Sequence, residues 1–204
     1  MPDPVVRAAR RDEAPALAAT LASAFGGTAT FRWLIADDAA RERLLPAFFE
    51  SSLQHLLASP GAVLVAEAAG SPVAVAAWAP PGRWKAPWWR GLLSMPRLVR
   101  AADGATLREF GGKGPALERA LEAAHPGEPH WYLSALGAAP AARGTGAGGA
   151  LVEAGLRRSR EQGLPAYLEC VPELIGYYER FGFRVAHEIA IGGGAPDQVG
   201  MLAG

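Results

Sequence analysis

Cysteine is nearly absent. Cys170 is the one thiol in 204 residues, so no disulfide can form within the chain. An excess of charge is also missing: 20 Lys and Arg balance 20 Asp and Glu. A general nucleic-acid binder neutralises phosphates with a basic excess, and this chain has none to offer. A small anionic ligand needs only one local site and is not excluded. Long apolar runs are lacking too. The longest, near Val73 to Pro81, falls far short of the roughly 18 residues that span a bilayer. No apolar stretch of signal-peptide kind follows the opening residues, which run into Arg10-Arg11-Asp12-Glu13. These absences predict a cytoplasmic protein with neither nucleic acid nor membrane as partner. Repeats and disordered linkers are not seen.

Half of the residues are hydrophobic and a fifth charged, an ordinary globular composition, and the length fits a single domain over 1–204. Val5 to Arg7 reads as a strand. Asp12 is the expected cap of a helix on which Leu17, Leu21 and Phe25 recur on one face, ended by Gly26-Gly27. A second helix is predicted from about Ala39 to Leu57. Val63–Glu67 and Val73–Trp78 read as a hairpin around Ala69-Gly70-Ser71-Pro72. Residues 83–128 read as helices mixed with loops. Then come a strand (Trp131–Gly137), a helix (Ala147–Gln162), a strand (Tyr167–Val171), a helix (Glu173–Phe181), a strand (Phe183–Ile189) and a last pairing near Val199–Leu202. The pattern predicts an α+β, or mixed α/β, sheet covered by helices on both faces.

The informative passage is the strand Trp131-Tyr132-Leu133-Ser134-Ala135-Leu136-Gly137-Ala138 and the loop Arg143-Gly144-Thr145-Gly146-Ala147-Gly148-Gly149 that opens a helix. The first turn of a helix presents free N–H groups and the positive end of its dipole, a ready anion site. Glycines let a diphosphate approach without a Cβ in the way, and Arg143 adds charge. Two readings stand at this point: a phosphate cradle, or glycines that only shape a tight turn. The loop is not of the Walker type, because no Lys-Ser/Thr follows, and no acidic residue stands where a dinucleotide fingerprint needs one.

Three features together resemble the GCN5-related N-acetyltransferase (GNAT) superfamily. They are the strand ending Leu136-Gly137-Ala138, the R-G-T-G-A-G loop, and the run Tyr178-Glu179-Arg180-Phe181-Gly182-Phe183, similar to the family's Y-E-R/K-x-G-F. His130-Trp131-Tyr132-Leu133 and Tyr167-Leu168-Glu169-Cys170 narrow the likeness. The whole chain is similar to the puromycin N-acetyltransferase branch, from Val6-Arg7-Ala8-Ala9-Arg10-Arg11-Asp12-Glu13 through Leu21-Ala22-Ser23-Ala24-Phe25 to the C-terminal strands. There are departures. Thr145 stands where the family often has a cation, an Asn usual after the fifth strand is missing from Pro172-Glu173-Leu174-Ile175-Gly176, and an aromatic of the puromycin branch is replaced near Gly27-Thr28.

The resemblance implies a mostly antiparallel, twisted sheet of six to seven strands, with acetyl-CoA as co-substrate, and no metal, in a gap between splayed strands 4 and 5. It divides the chain into an acceptor-side half (1–128) and an acetyl-CoA half (129–204). Leu136, Gly137, Ala138, Arg143, Gly144, Thr145, Gly146, Ala147, Gly148 and Gly149 would bind the cofactor, with N–H groups near Ala138 facing the thioester oxygen. Tyr178 would be the acid for the departing thiolate, since a phenol with pKa near about 10 is protonated at neutral pH. Glu169, a carboxylate on an otherwise apolar strand, is either the base for the amine or an ion-pair or capping group. His130 has a suitable pKa for the same task but precedes its strand and reads as a surface residue. Cys170 reads as a small buried hydrophobe rather than a nucleophile.

On the acceptor side, Phe25, Trp33 and Trp84 are candidate substrate contacts. Trp84, Trp88 and Trp89, flanked by Arg83, Lys85 and Arg90, either wall a pocket for an aromatic or amphipathic amine or anchor a lid helix. The leading expectation is acetylation of a small-molecule amine, an antibiotic or toxic amine among them, by a monomer or homodimer. Acetylation of a protein N-terminus or lysine, and a non-catalytic acyl-CoA sensor, are the alternatives.

Overall fold

A computed structural model of the chain describes residues 4–85 and 96–204. The strands are β1 (Val5–Ala8), β2 (Val63–Ala68), β3 (Ser71–Ala79), β4 (Trp131–Ala138), β5 (Ala166–Cys170), β6 (Arg184–Ile189) and β7 (Gln198–Ala203). They form one open sheet in the order β1-β2-β3-β4-β5-β7-β6. Only β4 and β5 run parallel; every other pair is antiparallel. The helices are α1 (Ala14–Phe25), α2 (Ala29–Leu34), α3 (Asp38–Leu56), α4 (96–101), α5 (Gly104–Ala124), α6 (Ala147–Glu161) and α7 (Ile175–Glu179). Among the described residues, no helix is long and apolar enough to cross a membrane.

Side chains alternate across a strand, so each strand feeds two cores. Leu64 and Ala66 join Trp78, Leu133, Leu151 and Leu156 under α6, while Val63, Val65 and Val75 join Leu17, Leu21, Leu45 and Phe49 under α1 and α3. The expected mixed α/β sheet with helices on both faces is what the chain forms. Gly155 of α6 is set hard against the indole of Trp78, where a Cβ would come within 2.0 Å of the ring.

The cap expected at Asp12 is not made. Asp12 is exposed on a 3-10 turn (Arg11–Glu13) ahead of α1. The adjacent Glu13 turns inward instead, accepting from the Arg10 N–H (2.7 Å) and pairing with Arg7 (2.6 Å). The stretch after Gly26-Gly27 forms a further short helix, α2. The mixed segment contains the 21-residue α5, which runs through Gly111, Gly112, Gly114 and Pro115 and is capped by the Asp103 carboxylate, accepting from the Thr106 N–H at 2.8 Å. Trp88, Trp89 and Arg90 lie outside the described residues.

The feature that positions the site is the divergence of β4 from β5. The two strands pair only at Trp131↔Ala166, Tyr132↔Tyr167 and Leu133↔Leu168. Against β3, Leu133 faces Trp78 and Ala135 faces Ala77, which leaves Ser134 as an extra residue. Its hydroxyl donates to the Ala77 carbonyl (3.1 Å). A bulge of this kind bends its strand, and β4 leaves β5 from that point. On the other side, Glu169 and Cys170 stay paired with Gly200 and Val199 of β7.

Candidate active site

Two cavities open from this divergence. The first, about 550 Å³, lies between the end of β4, the start of α6 and α7. Ala139 N–H donates to the Val73 carbonyl (2.9 Å). Alternation along an antiparallel strand therefore turns the N–H groups of Ala138 and Leu136 away from β3, into the gap. Gly137, facing β3, has no Cβ because Leu21 and Ala24 of α1 occupy that space. Gly144 and Gly146 take positive φ values of 77° and 88°, with open space where a Cβ would stand. The first α6 N–H with a carbonyl acceptor is that of Ala150, bonded to Gly146, so those of Ala147, Gly148 and Gly149 remain available, as helix geometry requires. Arg143 and Arg180 line this cavity, and among the described lining residues there is no carboxylate. The donor set fits a diphosphate.

The second cavity, about 390 Å³, is walled by Phe25, Phe31, Phe48 and Phe49 from the α1–α3 side and by Leu117 and Leu121 of α5. Glu169 of β5 is the one carboxylate among its described lining residues. The Tyr132 hydroxyl donates to Glu169 Oε2 at 2.5 Å. Burial, and then the negative charge of Glu169, raise the Tyr132 pKa well above the ordinary value, so the phenol stays a donor. Glu169 Oε1 is buried without a hydrogen-bond partner among the described residues; the Nδ1 atom of His125 stands 3.6 Å away.

Leu136, Leu174 and Tyr178 line both cavities. Tyr178, on α7, packs edge-on against Tyr177 and Phe183. Burial raises its pKa above 10, so it too remains protonated at neutral pH. Cys170 lines the second cavity, and burial followed by the charge of Glu169 pushes its thiol up to about 12. A thiol held protonated is a poor nucleophile.

The structure separates some of the residues expected at the site. Thr145 turns away from the first cavity: its hydroxyl and its N–H both bond back to Ala142 O (2.8 and 3.4 Å). Ala147 buries its methyl in the core under α6 and offers the cavity only its N–H. Trp33 does not line the second cavity; its indole donates to the Gly193 carbonyl (3.0 Å). Trp84 lies behind Tyr132, stacked on His125 with centroids 3.8 Å apart. His130 is not a surface residue, being 6% exposed. Burial lowers its pKa, and its Nε2 lies 2.9 Å from that of His125. Phe31, Phe48, Phe49, Tyr132, His125 and Arg180 were not anticipated. Two of them carried a local signal: Tyr132, two residues before the bulge on a strand flanking the gap, and Arg180, inside the Tyr178–Phe183 run.

The sequence profile of the acetyltransferase (GNAT) family matches residues 28–183. A structure from Corynebacterium glutamicum described as histone acetyltransferase HPA2 and related acetyltransferase is 28% identical, with a TM-score of 0.69 over 98% of this chain and 95% of that one. The polyamine N-acetyltransferase of Drosophila melanogaster, which forms N-acetylagmatine, shares the fold at 20% identity and a TM-score of 0.61, over 98% and 99% of the two chains. Naa50 of Arabidopsis thaliana, solved with a bisubstrate analogue containing CoA, does so at 13% identity and a TM-score of 0.57, over 99% of each. The family match spans most of the sequence, bridges both cavities and coincides with the gap between β4 and β5: the chain belongs to the acetyltransferase (GNAT) family.

Proposed function

We propose that this protein moves the acetyl group of acetyl-CoA to the primary amine of a small molecule with an apolar body, by direct attack of the amine on the thioester. The observation that carries the reading is the junction of the two cavities. Tyr178 lines both, and Glu169 lines the one walled by phenylalanines.

Membership of the family implies acetyl-CoA as donor, and acetyl-CoA supplies the acyl group as an activated thioester. The N–H groups at the start of α6, with Arg143 and Arg180, hold its diphosphate. The N–H groups of Leu136 and Ala138 face the gap and act as donors to the thioester carbonyl oxygen, where charge develops on attack. Glu169 anchors the acceptor ammonium and takes a proton from it. Tyr178 donates from its hydroxyl to the departing sulfur. The high pKa of Cys170 supports direct transfer over an acetyl-cysteine route.

Acceptor size and polarity follow from the second cavity. Its volume suits a drug-sized or smaller ligand, and its aromatic walls favour an apolar body. A polyamine's second cation finds no second carboxylate among the described lining residues, and residues 86–95 contain neither Asp nor Glu. Likeness to the puromycin N-acetyltransferase branch makes puromycin the first acceptor to try. The test is CoA-thiol release with puromycin, arylalkylamines, polyamines and N-terminal peptides. Release with the first two groups supports the reading. Release with peptides alone assigns the chain to protein acetylation, and acetyl-CoA binding with no release from any amine assigns it to acyl-CoA sensing.

A further inference from the structure

The environment of Glu169 holds a group that the reaction above does not use. His125, the residue that ends α5, reaches the pair formed by Tyr132 and Glu169 from behind the acceptor cavity. Its side chain is 3% exposed and that of Glu169 6%. The imidazole is stacked on the Trp84 indole (3.8 Å, 24°) and meets the rings of Tyr132 and Tyr167 edge-on (4.9 and 5.2 Å). Nδ1 faces the unpartnered Glu169 Oε1 at 3.6 Å, and Nε2 faces His130 Nε2 at 2.9 Å.

Hydrogen-bond chemistry decides where the protons sit. His130 Nδ1 lies 2.7 Å from the Glu128 carbonyl. A carbonyl can only accept, so Nδ1 of His130 carries a proton. A neutral His130 therefore presents a lone pair at Nε2, and the donor across the 2.9 Å contact is the Nε2–H of His125. Burial favours that neutral form of His130. The tautomer of His125 is thereby set, leaving its Nδ1, opposite Glu169 Oε1, as the position for one exchangeable proton. Besides His130, the ionisable groups around the pair are Tyr132 on β4, Tyr167 and Cys170 on β5 with His187 of β6 behind Tyr167 (3.2 Å), and Lys85 over the Trp84 ring. Lys85 is itself paired with Glu122 of α5.

We infer that His125 is a positioning residue that stores the proton Glu169 takes from the acceptor amine, with His130 fixing the tautomer that makes storage possible. The inference rests on the acetyl-transfer reading. An alkylammonium has three N–H protons and the amide product one. Of the two that leave, one restores the proton that Tyr178 gives to the CoA sulfur and the other must reach solvent. Glu169 removes that second proton and passes it to His125 Nδ1, which its Oε1 faces, giving an imidazolium beside a restored carboxylate. After product leaves, the proton returns through Glu169 to water in the opened cavity, and both rings keep their starting tautomers. The gain is in driving force. An imidazole is a stronger base than a carboxylate, so storage on His125 makes amine deprotonation less uphill.

The test is the pH profile of acceptor-dependent thiol release for wild type, His125→Phe and His125→Ala. The phenylalanine variant keeps a ring on Trp84 but cannot hold a proton. It should lose about 100-fold at neutral pH, the deficit shrinking as the pH approaches the amine's own pKa. Added imidazole should restore part of the activity of His125→Ala. A phenylalanine variant as active as wild type, or one equally depressed at every pH with no imidazole rescue of the alanine variant, would overturn the inference and leave His125 a packing residue. A second readout does not need turnover: ¹⁵N-histidine spectra of wild type and Glu169→Gln. Removing the carboxylate should move the His125 Nδ1 resonance, and an unchanged spectrum would contradict the pairing. If wild type acetylates no amine, the functional reading fails on its own, while the spectra still decide whether the two groups share a proton.

Discussion

Tyr132 donates to Glu169 at 2.5 Å across the last rung before β4 and β5 part. Both residues belong to strands that are neighbours as far as Leu133 and Leu168. The contact thus ties the Glu169 carboxylate to the geometry of the splay. Tyr132→Phe leaves the carboxylate in place but takes away a donor to a charged acceptor. The expected loss is about tenfold in kcat/KM, about 1.4 kcal/mol, with thermal stability within about 1 kcal/mol of wild type. An unchanged kcat/KM would remove Tyr132 from the site.

The cofactor loop gives a binding prediction. Gly146, at φ 88°, occupies a conformation that costs an L side chain about 1–2 kcal/mol. Gly146→Val adds bulk where a diphosphate approaches the N–H groups of α6. Calorimetric titration should show acetyl-CoA affinity reduced by about tenfold or more. Thr145→Ala, at a residue whose donors point back to Ala142, should change affinity by less than about twofold. Equal losses in both variants would place the diphosphate elsewhere.

How much of this was legible differs along the chain. The strand, glycine loop and helix from Trp131 to Glu161 could be read directly, because a turn that needs positive φ and an anion site at a helix start are both local in sequence. The outward turn of Thr145 could not, since its hydroxyl is satisfied by a carbonyl three residues back. The acceptor cavity was less visible still. Phe31 lies on α2, Phe48 and Phe49 lie side by side on α3, and they meet Glu169 only through tertiary packing. Trp33 and Trp84 advertised themselves by size, yet one hydrogen-bonds to the β6–β7 connection and the other covers His125. His130 read as exposed because it precedes its strand; the rings of His125, brought in by the end of α5, and of Tyr167 pack against it.

The thiol of Cys170 is held at about 12, so it stays protonated through the neutral range. Native protein should resist iodoacetamide at neutral pH, and Cys170→Ala should retain activity within about threefold. Rapid alkylation that tracks loss of turnover would reopen a covalent route.

Away from the site, Arg7 bridges Glu13 and Glu67 at 2.6 Å each. The Arg7 guanidinium is the main cause that draws the Glu13 carboxyl down to about 2 from 4.5. A depressed folded-state pKa adds stability above the unfolded value and loses it as pH falls toward the folded one. Urea unfolding should therefore show about 2–3 kcal/mol disappearing between about pH 4.5 and pH 2. Glu13→Gln should flatten that part of the profile, and a profile identical to wild type would show the bridge to be energetically silent.

The central claim is that the cavity holding Glu169 and the cavity at the start of α6 meet at Tyr178 so that an amine can take the acetyl group from acetyl-CoA. The most direct measurement is acceptor-dependent CoA-thiol release with puromycin and arylalkylamines, comparing wild type, Tyr178→Phe and Glu169→Gln at saturating acetyl-CoA. Release by wild type that falls at least about tenfold in each variant, about 1.4 kcal/mol or more of transition-state stabilisation, with acetyl-CoA affinity unchanged, is the predicted result. Release that is equal in all three proteins would contradict the roles given to both residues, and no release by wild type would contradict the reaction itself.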